Sequence, residues 1–360
     1  MSLVKNYISK LKTKNFALKD ENSRNSFLNH CIDTGTLSFF LGRDDKELDF
    51  AMGNQNVKKS IISIQKKTLQ HQSSLKSFLK LARTNNVDVC LLKGAFMSNF
   101  MYSNFSMRTM RDIDVLVDES NFLKIVNVML KNGYFFLNSS KEEFLKFNFN
   151  YSHQAPILVN KLGIAFEIHH RLKTKAEVEN SDHLAKNLIK SKKEKMLFGM
   201  TVSIPNDNFA FIHCCYHAIS KSKLNVGPIF LNDLMQFKNR IDKDILEDAR
   251  KSNCIREVEF GIDMLKYLQS LDIKNTVQVE KALEIIIQCY KMPEFFPRKK
   301  LNFVSSLKDS YDYNSYTLSL SDSSKYVASK LKQTFTFFKS YILNYNLHKK
   351  RNSFFKDFNS

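Results

Sequence analysis

With 360 residues, 43% of them hydrophobic, and only 9 glycines and 5 prolines, the chain has the length for one to three domains and a composition that excludes a fibrous or disordered protein. Six scattered cysteines without a Cys-x-x-Cys pair, no signal-peptide core in residues 1–19 and no run of roughly eighteen apolar residues predict a cytoplasmic protein without a membrane span. The net charge of +19 attracts phosphates and permits nucleic acid as a partner, although solvated surface lysines explain it equally well.

Residues 1–85 are expected to form an N-terminal helical region, and residues 56–83 are its clearest helix. The apolar residues with helical spacing there are Leu75, Phe78, Leu79 and Ala82. Ser73 or Ser74 is the expected N-cap, because a serine hydroxyl can accept a hydrogen bond from the first free N–H groups of a helix.

Residues 86–205 are expected to form an α/β core. The predicted strands are 87–92, 113–117, 134–137, 153–159, 164–170 and 201–204. A helix is expected between Ser120 and Asn132, and Gly133 is a natural residue to follow its end. The short turn Asn160 to Gly163 predicts that the strands on either side of it form an antiparallel hairpin.

Residues 206–360 are expected to form a C-terminal helical domain with a basic tail. The expected helices are 206–220, capped by Asn206 or Asp207, then 230–240, others within 243–290, and 325–347. The stretch 305–324, rich in Ser, Tyr and Asp, predicts a loop, and the tail contains Lys349-Lys350-Arg351.

The pattern most informative about function is Asp112-Ile113-Asp114, at the head of an apolar strand. Alternate side chains of a strand share a face, so the two aspartates lie close together while Ile113 points into the core. Two such carboxylates repel each other unless a cation lies between them, and Mg²⁺ takes oxygen ligands and bridges substrate phosphates. A solvated turn at a strand edge remains an alternative for the pair alone.

The surrounding sequence favours the metal interpretation. An apolar run ends at Lys93-Gly94-Ala95 and is followed by a helix-like stretch, an arrangement that makes an anion site from free backbone N–H groups. Downstream, alternation places Ala165, Glu167 and His169 on one face of a strand. Glu167 is then expected to face the aspartate pair as a third carboxylate.

These motifs resemble the bacterial nucleotidyltransferase family described as uncharacterised, which belongs to the DNA polymerase β-like superfamily. The residues that carry the resemblance are Leu92 to Ala95, Tyr102, Arg108, Asp112 to Val117, Gly133-Tyr134, Glu167 to Leu172, His217 and Leu231 to Leu234. It covers roughly residues 60 to 240. Two departures are Ala95, where the wider superfamily carries Ser or Gly, and His170, where an aromatic residue is common.

The resemblance implies an α+β fold, with a mixed-sheet polymerase β-like nucleotidyltransferase core flanked by N-terminal helices and a C-terminal helical domain. It implies Mg²⁺-dependent transfer of an NMP from an NTP, with ATP as the first expectation, to an acceptor hydroxyl or phosphate, with release of pyrophosphate. Asp112 and Asp114 would hold two Mg²⁺ ions, with Mn²⁺ as an alternative. Glu167 would hold the catalytic ion and help to deprotonate the acceptor.

The same resemblance assigns nucleotide contacts. The turn Lys93-Gly94-Ala95 would cradle the β- and γ-phosphates, and Arg108 would reach the triphosphate. His169 would orient Glu167 or contact the nucleotide or acceptor, although a hydrogen-bonded histidine at a strand end fits equally well. A solvated lysine at a strand end is the alternative for Lys93.

Two further features leave alternatives open. The pair His213 and His217 has the i, i+4 spacing of zinc ligands on a helix, but no third ligand follows at a diagnostic distance, so core packing is favoured over metal binding by these residues or the adjacent Cys214 and Cys215. Asp233 is either an acid near the cleft or a cap or ion-pair residue.

The acceptor and the oligomeric state are left open by the sequence. A small molecule or peptide is favoured as acceptor, because members of the family resemble tailoring enzymes more than RNA polymerases. The alternatives are a toxin-like enzyme that modifies tRNA or another RNA, and a member without catalysis that binds nucleic acid through its basic surface.

Overall fold

The computed structural model describes residues 3–13, 18, 20–42, 51, 53–137, 152–173, 182–271, 276–288 and 345–359. Within these residues the protein is α+β, with 13 helices and a 7-stranded mixed sheet, so the predicted fold class is confirmed. The loop predicted at 305–324 and all but the end of the helix predicted at 325–347 lie outside the described residues. No described helix combines the length and the apolarity that a membrane crossing requires.

The helices occur along the whole described chain. They are α1 (Leu3–Lys12), α2 (Glu21–Thr34), α3 (Leu37–Leu41), α4 (Gln55–Thr84), α5 (Lys93–Phe100), α6 (Glu119–Lys131), α7 (His183–Ser191), α8 (Asp207–Tyr216), α9 (Ile229–Gln236), α10 (Ile245–Lys251), α11 (Ile255–Leu268), α12 (Thr276–Gln288) and α13 (Tyr345–Asn359). A short 3₁₀ turn, Phe105–Met107, precedes the second strand, and a π-helical turn, His217–Lys221, continues α8.

The strands are short and form one sheet. They are β1 (Cys90–Leu91), β2 (Asp112–Leu116), β3 (Phe135–Phe136), β4 (Leu158–Val159), β5 (Ala165–His169), β6 (Lys193–Leu197) and β7 (Met200–Ile204). Their order in the sheet is β3-β4-β5-β2-β1-β7-β6. The pairs β2–β5 and β1–β7 are parallel and the other pairs are antiparallel, which includes the hairpin predicted around the turn at 160–163.

The chain forms two compact units. The first comprises Met1–Lys221 and Pro228–Val279 and contains the sheet, and the second comprises Ser222–Gly227 and Glu280–Ser360. Within the second unit, α12 and α13 are joined by ion pairs, with Lys281 Nζ 3.2 Å from Asp357 Oδ2 and Lys350 Nζ 2.6 Å from Glu284 Oε1. The domain division predicted from the sequence, 1–85, 86–205 and 206–360, stays a prediction.

Helix α4 agrees with the helix predicted at 56–83 to within one residue at each end, but it begins at a different cap. No Gly or Pro interrupts residues 55–84, and the side chain of Asn54 accepts hydrogen bonds from the backbone N–H groups of Asn56 and Val57. The predicted cap at Ser73 or Ser74 is wrong, because Ser74 lies buried within the helix. Its hydroxyl accepts a hydrogen bond of 2.9 Å from Asn160 Nδ2 instead.

Helices α4 and α6 cover the apolar face of the central strands. Phe78 of α4 packs against Phe166 of β5 with ring centroids 5.3 Å apart, and Tyr134 meets the same ring edge-on at 5.3 Å. Phe122 of α6 is fully buried, like Phe166. Because side chains alternate along β5, this packing leaves the neighbouring residues of the strand on the opposite face.

The register of the central strands places the acidic residues side by side. In the parallel pair β2–β5, Asp112 lies opposite Ala165 and Asp114 lies opposite Glu167. Strand β1 runs antiparallel to β2 and ends beside it, where the N–H of Leu92 donates to the carbonyl of Asp114 over 3.0 Å. Helix α5 therefore begins directly next to the acidic pair.

The edge strand β6 has no counterpart among the predicted strands. Its residues, Lys193 to Leu197, are almost all exposed, so the alternation of buried and exposed side chains that marks a strand is missing. The strand pairs with β7 through a two-residue turn, Phe198-Gly199, in which both residues have positive φ, as hairpin turns of this length require. Charged lysines on an edge strand hinder pairing with another chain.

The helices after the sheet begin close to where they are predicted. The side chain of Asn206 accepts a hydrogen bond of 2.8 Å from the N–H of Phe209, so the predicted cap of α8 is confirmed. Helix α9 ends at Gln236, short of the predicted Arg240, because the chain turns there and Asn239 takes a positive φ of 62°.

Candidate functional site

Three side chains from the two central strands converge on the face of the sheet opposite Phe166. His169 Nε2 lies 3.0 Å from Asp114 Oδ1 and 3.5 Å from Glu167 Oε2. The donor atoms of Asp114, Glu167 and His169 all lie within 4.8 Å of one another, the only such group of three found in the described part of the chain. The side chain of Asp114 is 1% exposed and that of Glu167 is 18% exposed, so Glu167 is the member that reaches solvent.

Lys93 brings a positive charge to the same atoms. Its Nζ lies 2.6 Å from Asp114 Oδ1 and 3.5 Å from Glu167 Oε2. The backbone of Lys93 has a φ of 38°, in the left-handed region, which costs an L-residue about 1–2 kcal/mol. A strained backbone that holds a lysine against two carboxylates is typical of a functional position.

Asp112 stands apart from the three clustered residues. It occupies the first position of β2, on the same face as Asp114, but its carboxylate does not belong to the group within 4.8 Å. Burial, together with the negative charges of Asp114 and Glu167, raises the pKa of Asp112 to about 7. Asp112 and Asp114 are therefore close enough to interact electrostatically, but only Asp114 belongs to the cluster with Glu167 and His169.

The remaining charges in the cluster stabilise one another. Burial alone would raise the pKa of Asp114, but the Lys93 ammonium and the hydrogen bond from His169 hold it well below its usual range. Burial alone would lower the pKa of His169, but its hydrogen bonds to Asp114 and Glu167 raise it. The pKa of Lys93 is raised too, because the two carboxylates outweigh the effect of burial.

The turn at the start of α5 offers free backbone donors. Leu92 is the N-cap and makes no side-chain capping bond, and the first hydrogen bond of the helix runs from the N–H of Phe96 to the carbonyl of Leu92. The N–H groups of Lys93, Gly94 and Ala95 therefore have no backbone acceptor in the helix. Such N–H groups, at the positive end of the helix dipole, favour an anion.

Arg108 lies against this turn. A Cβ atom added to Gly94 would meet Arg108 Nη1 at 2.9 Å and Met110 Cγ at 2.9 Å, so only glycine fits at this position without displacing them. Arg108 donates from Nε and Nη2 to the two carboxylate oxygens of Asp233 over 3.2 and 2.9 Å, and from Nη1 to the carbonyl of Thr109 over 2.8 Å.

Tyr102 completes the contacts of Asp233, since its hydroxyl donates to Asp233 Oδ1 over 2.7 Å. Of the two interpretations given for Asp233, the ion-pair residue is thus the one that the contacts support. The role of Asp233 in holding Arg108 was missed from the sequence. The only signal for it was that Tyr102, Arg108 and Asp233 all fall within the segments that carry the family resemblance.

His213 of α8 and His217 of the π-helical turn that follows lie near the cluster without joining it. Burial, together with the positive charge of Lys93, lowers the pKa of His213 to about 3, and the same two causes hold the pKa of His217 well below its usual value. Neither belongs to a group of metal-binding residues among those described, and the packing role expected for them stays a prediction. His153, whose ring lies 5.6 Å from that of His169, is also neutral, because burial lowers its pKa to about 2.

The arrangement combines a cation-binding face with an anion-binding turn. Two carboxylates and an imidazole can hold a divalent ion, and the free N–H groups next to them can hold a phosphate. Both features lie at the same end of β1, within reach of the Lys93 ammonium. The site can therefore bring a metal and a polyphosphate together.

The comparisons with known proteins agree with this chemistry. The model of a family described as "Uncharacterised nucleotidyltransferase" matches residues 51–269, which is more than half of the chain. The match includes every residue of the cluster, the turn and the Arg108–Asp233 pair. No curated protein matches the chain.

Proposed function

The chain belongs to the uncharacterised nucleotidyltransferase family, whose activity is the transfer of nucleotidyl groups, and we propose that it transfers an NMP from an NTP to an acceptor with release of pyrophosphate in a Mg²⁺-dependent reaction. The observation that carries the proposal is the register of β2 and β5, which sets Asp114 opposite Glu167 beside the turn at Lys93. A nucleotidyltransferase needs carboxylates for the metal and donors for the triphosphate at one place, and this is where the chain has both.

The donor atoms fit a divalent metal. Asp114 and Glu167 present carboxylate oxygens within 4.8 Å of each other, and oxygen is the donor that Mg²⁺ prefers. We assign Asp112, Asp114 and Glu167 as the residues that would hold the metal. As predicted from the sequence, they would hold two Mg²⁺ ions, with Mn²⁺ as an alternative. Bound there, the metal would stabilise the negative charge that develops on the α-phosphate and on the leaving pyrophosphate.

The triphosphate would lie on the turn at the start of α5. The free N–H groups of Lys93, Gly94 and Ala95 would bind the β- and γ-phosphates, and the Lys93 ammonium would add a positive charge. Arg108 supplies a second positive charge beside Gly94, where Asp233 fixes its orientation. We expect ATP as the first nucleotide to test.

Glu167 would act on the acceptor. It is the one carboxylate of the cluster with appreciable exposure, and it points from β5 towards the atoms that Asp114 shares with Lys93. A carboxylate in this position can take the proton of an acceptor hydroxyl as the oxygen attacks the α-phosphorus. His169, hydrogen-bonded to Asp114 and close to Glu167, would keep the two side chains in place.

The acceptor that we propose is a small molecule or a peptide, as predicted from the sequence, and a labelling experiment tests it. The full chain is incubated with Mg²⁺, each of the four NTPs and a cell extract, and mass spectrometry identifies the molecule that gains the mass of an NMP. The expected result is one acceptor in the small-molecule or peptide fraction. A labelled RNA would instead identify the RNA-directed alternative, which the net charge of +19 permits.

Matched variants test whether the transfer of the NMP depends on this site. Asp114→Asn keeps the shape of the side chain and removes its charge. Labelling should fall by more than about a hundredfold, because the loss of a group that only supports a metal ligand already costs about 10–100-fold. Asp118→Asn is the control. Asp118 comes shortly after the same strand, where it is the exposed N-cap of α6, and asparagine caps a helix equally well. Unchanged labelling by Asp114→Asn, or salt-sensitive binding of nucleic acid without any turnover, would contradict the proposal.

A further inference from the structure

The position of His169 goes beyond a supporting role for the carboxylates. Its Nε2 lies 3.0 Å from Asp114 Oδ1 and 3.5 Å from Glu167 Oε2. In an octahedral shell with metal–ligand bonds of about 2.1 Å, neighbouring ligand atoms lie about 3.0 Å apart. The distance from Nε2 to Asp114 Oδ1 matches this spacing, the distance to Glu167 Oε2 is slightly longer, and all three donor atoms lie within 4.8 Å of one another.

The strands hold this arrangement rigidly. Glu167 and His169 are separated by one residue on β5 and so share a face, while Asp114 is fixed opposite Glu167 by the register of the parallel pair. The side chains of His169 and Asp114 are 3% and 1% exposed. Water therefore competes little for the nitrogen, and the imidazole has few other orientations.

The second ring nitrogen, Nδ1, indicates that His169 does not occupy this position in order to make hydrogen bonds within the core. Among the described residues, Nδ1 is buried and has no hydrogen-bond partner, which costs about 1–3 kcal/mol. The hydrogen-bonding and ionic contacts of the ring are those that Nε2 makes with the two carboxylates. A buried polar atom left unpaired is a common sign of a functional constraint.

We infer that His169 is a direct ligand of the metal through Nε2, so that two carboxylates and one imidazole hold the ion and the site binds Mn²⁺ more tightly than Mg²⁺. The reason is the donor chemistry. Mg²⁺ is a hard ion that prefers oxygen, whereas first-row transition ions accept both carboxylate and imidazole. The inference rests on the metal site of the proposed function and adds a nitrogen ligand to it.

Pulsed electron paramagnetic resonance of bound Mn²⁺ tests the inference directly. The full chain is stripped of metal with a chelator and loaded with less than one equivalent of Mn²⁺, and the electron spin-echo envelope is examined for modulation by a coordinated nitrogen. We expect that modulation in the wild-type protein and its loss in His169→Gln. In the control His153→Gln the modulation should persist, because His153 lies outside the cluster although its ring is 5.6 Å from that of His169.

Metal affinity gives a second readout. The amide oxygen of His169→Gln replaces nitrogen by oxygen, so the affinity for Mn²⁺ should fall by at least about tenfold while the affinity for Mg²⁺ changes less. Titration with each ion, read by calorimetry, measures both. If His169→Gln does not fold, wild-type protein grown on histidine that carries the heavy nitrogen isotope still decides the question, because the modulation must change its frequency, and His153→Gln shows whether that neighbour supplies the nitrogen.

Two results would overturn the inference: bound Mn²⁺ without nitrogen modulation in the wild type, or modulation that survives in a folded His169→Gln protein. Failure of the inference differs from failure of the proposed function. NMP transfer that depends on Asp114 without a nitrogen ligand would leave the function standing and remove the inference. A nitrogen-ligated ion without NMP transfer would do the reverse.

Discussion

Gly94 provides the sharpest test of the packing around the phosphate turn. A Cβ atom at this position would lie 2.9 Å from Arg108 Nη1 and 2.9 Å from Met110 Cγ, where carbon atoms in contact prefer about 3.5–4.0 Å. Arg108 cannot move away freely, because Asp233 holds it through both carboxylate oxygens, and Met110 is 4% exposed. Gly94→Ala should therefore overpack the turn.

The expected cost is about 1–3 kcal/mol of unfolding free energy, which is typical of an extra methyl group in a packed region. For a unit of this size it corresponds to a melting temperature lower by about 2–12 °C. Displacement of Arg108 should also raise the KM for the NTP more than it lowers kcat. Thermal unfolding followed by circular dichroism, together with steady-state kinetics of pyrophosphate release, measures both effects.

Gly53→Ala is the matched control. Nothing lies within 4 Å of the Cβ that this substitution would add, and Gly53 is helical with no positive φ, so alanine should be neutral or stabilise by up to about 1 kcal/mol. A Gly94→Ala protein that melts like the wild type would refute the reasoning, because it would mean that Arg108 and Met110 are not held against the turn.

Three further outcomes are expected. Lys93→Met removes the ammonium that lies 2.6 Å from Asp114 Oδ1, so the affinity for Mn²⁺ should rise in calorimetry while NTP turnover falls; a weaker affinity would contradict this competition. Asp233→Asn leaves Arg108, whose side chain is only 13% exposed, without its charged partner and should cost about 3–5 kcal/mol in denaturant unfolding, whereas a change below about 1 kcal/mol would show that water screens the pair in solution. The pKa of Asp112 is raised from 3.8 to about 7, so between these pH values the folded state keeps a proton that the unfolded state has lost, and the free energy of unfolding of the metal-free protein should fall as the pH rises. Asp112→Asn should abolish this fall, and a variant with the same pH profile as the wild type would contradict the assignment.

Alternation along two strands was sufficient to predict the centre of the site. Asp114 and Glu167 each have apolar neighbours that must face the core, so their own direction follows from the pattern, and the register of β2 and β5 confirms that they lie opposite each other. The sequence also indicated that His169 shares this face. It could not show that the imidazole joins the cluster more closely than Asp112, because that depends on side-chain geometry.

The partner of Arg108 depends on tertiary structure and could not be predicted. Asp233 lies 125 residues further along the chain on a different helix, and no local spacing connects an arginine before β2 to an acid on α9. The edge strand β6 was missed for another reason, since its exposed lysines give no hydrophobic period. The wrong cap at Ser74 arose because a serine inside a long helix has the same sequence appearance as one at its start.

The position of the label in the nucleotide tests the central claim most directly. Wild-type protein and Asp114→Asn are each given NTP labelled at the α-phosphate and, separately, at the γ-phosphate, with Mg²⁺ and extract as the source of acceptor. Nucleotidyl transfer predicts that the wild type moves the α-label onto the acceptor and releases the γ-label in pyrophosphate, and that Asp114→Asn does neither. Transfer of the γ-label to the acceptor, or equal transfer of the α-label by the two proteins, would contradict the account.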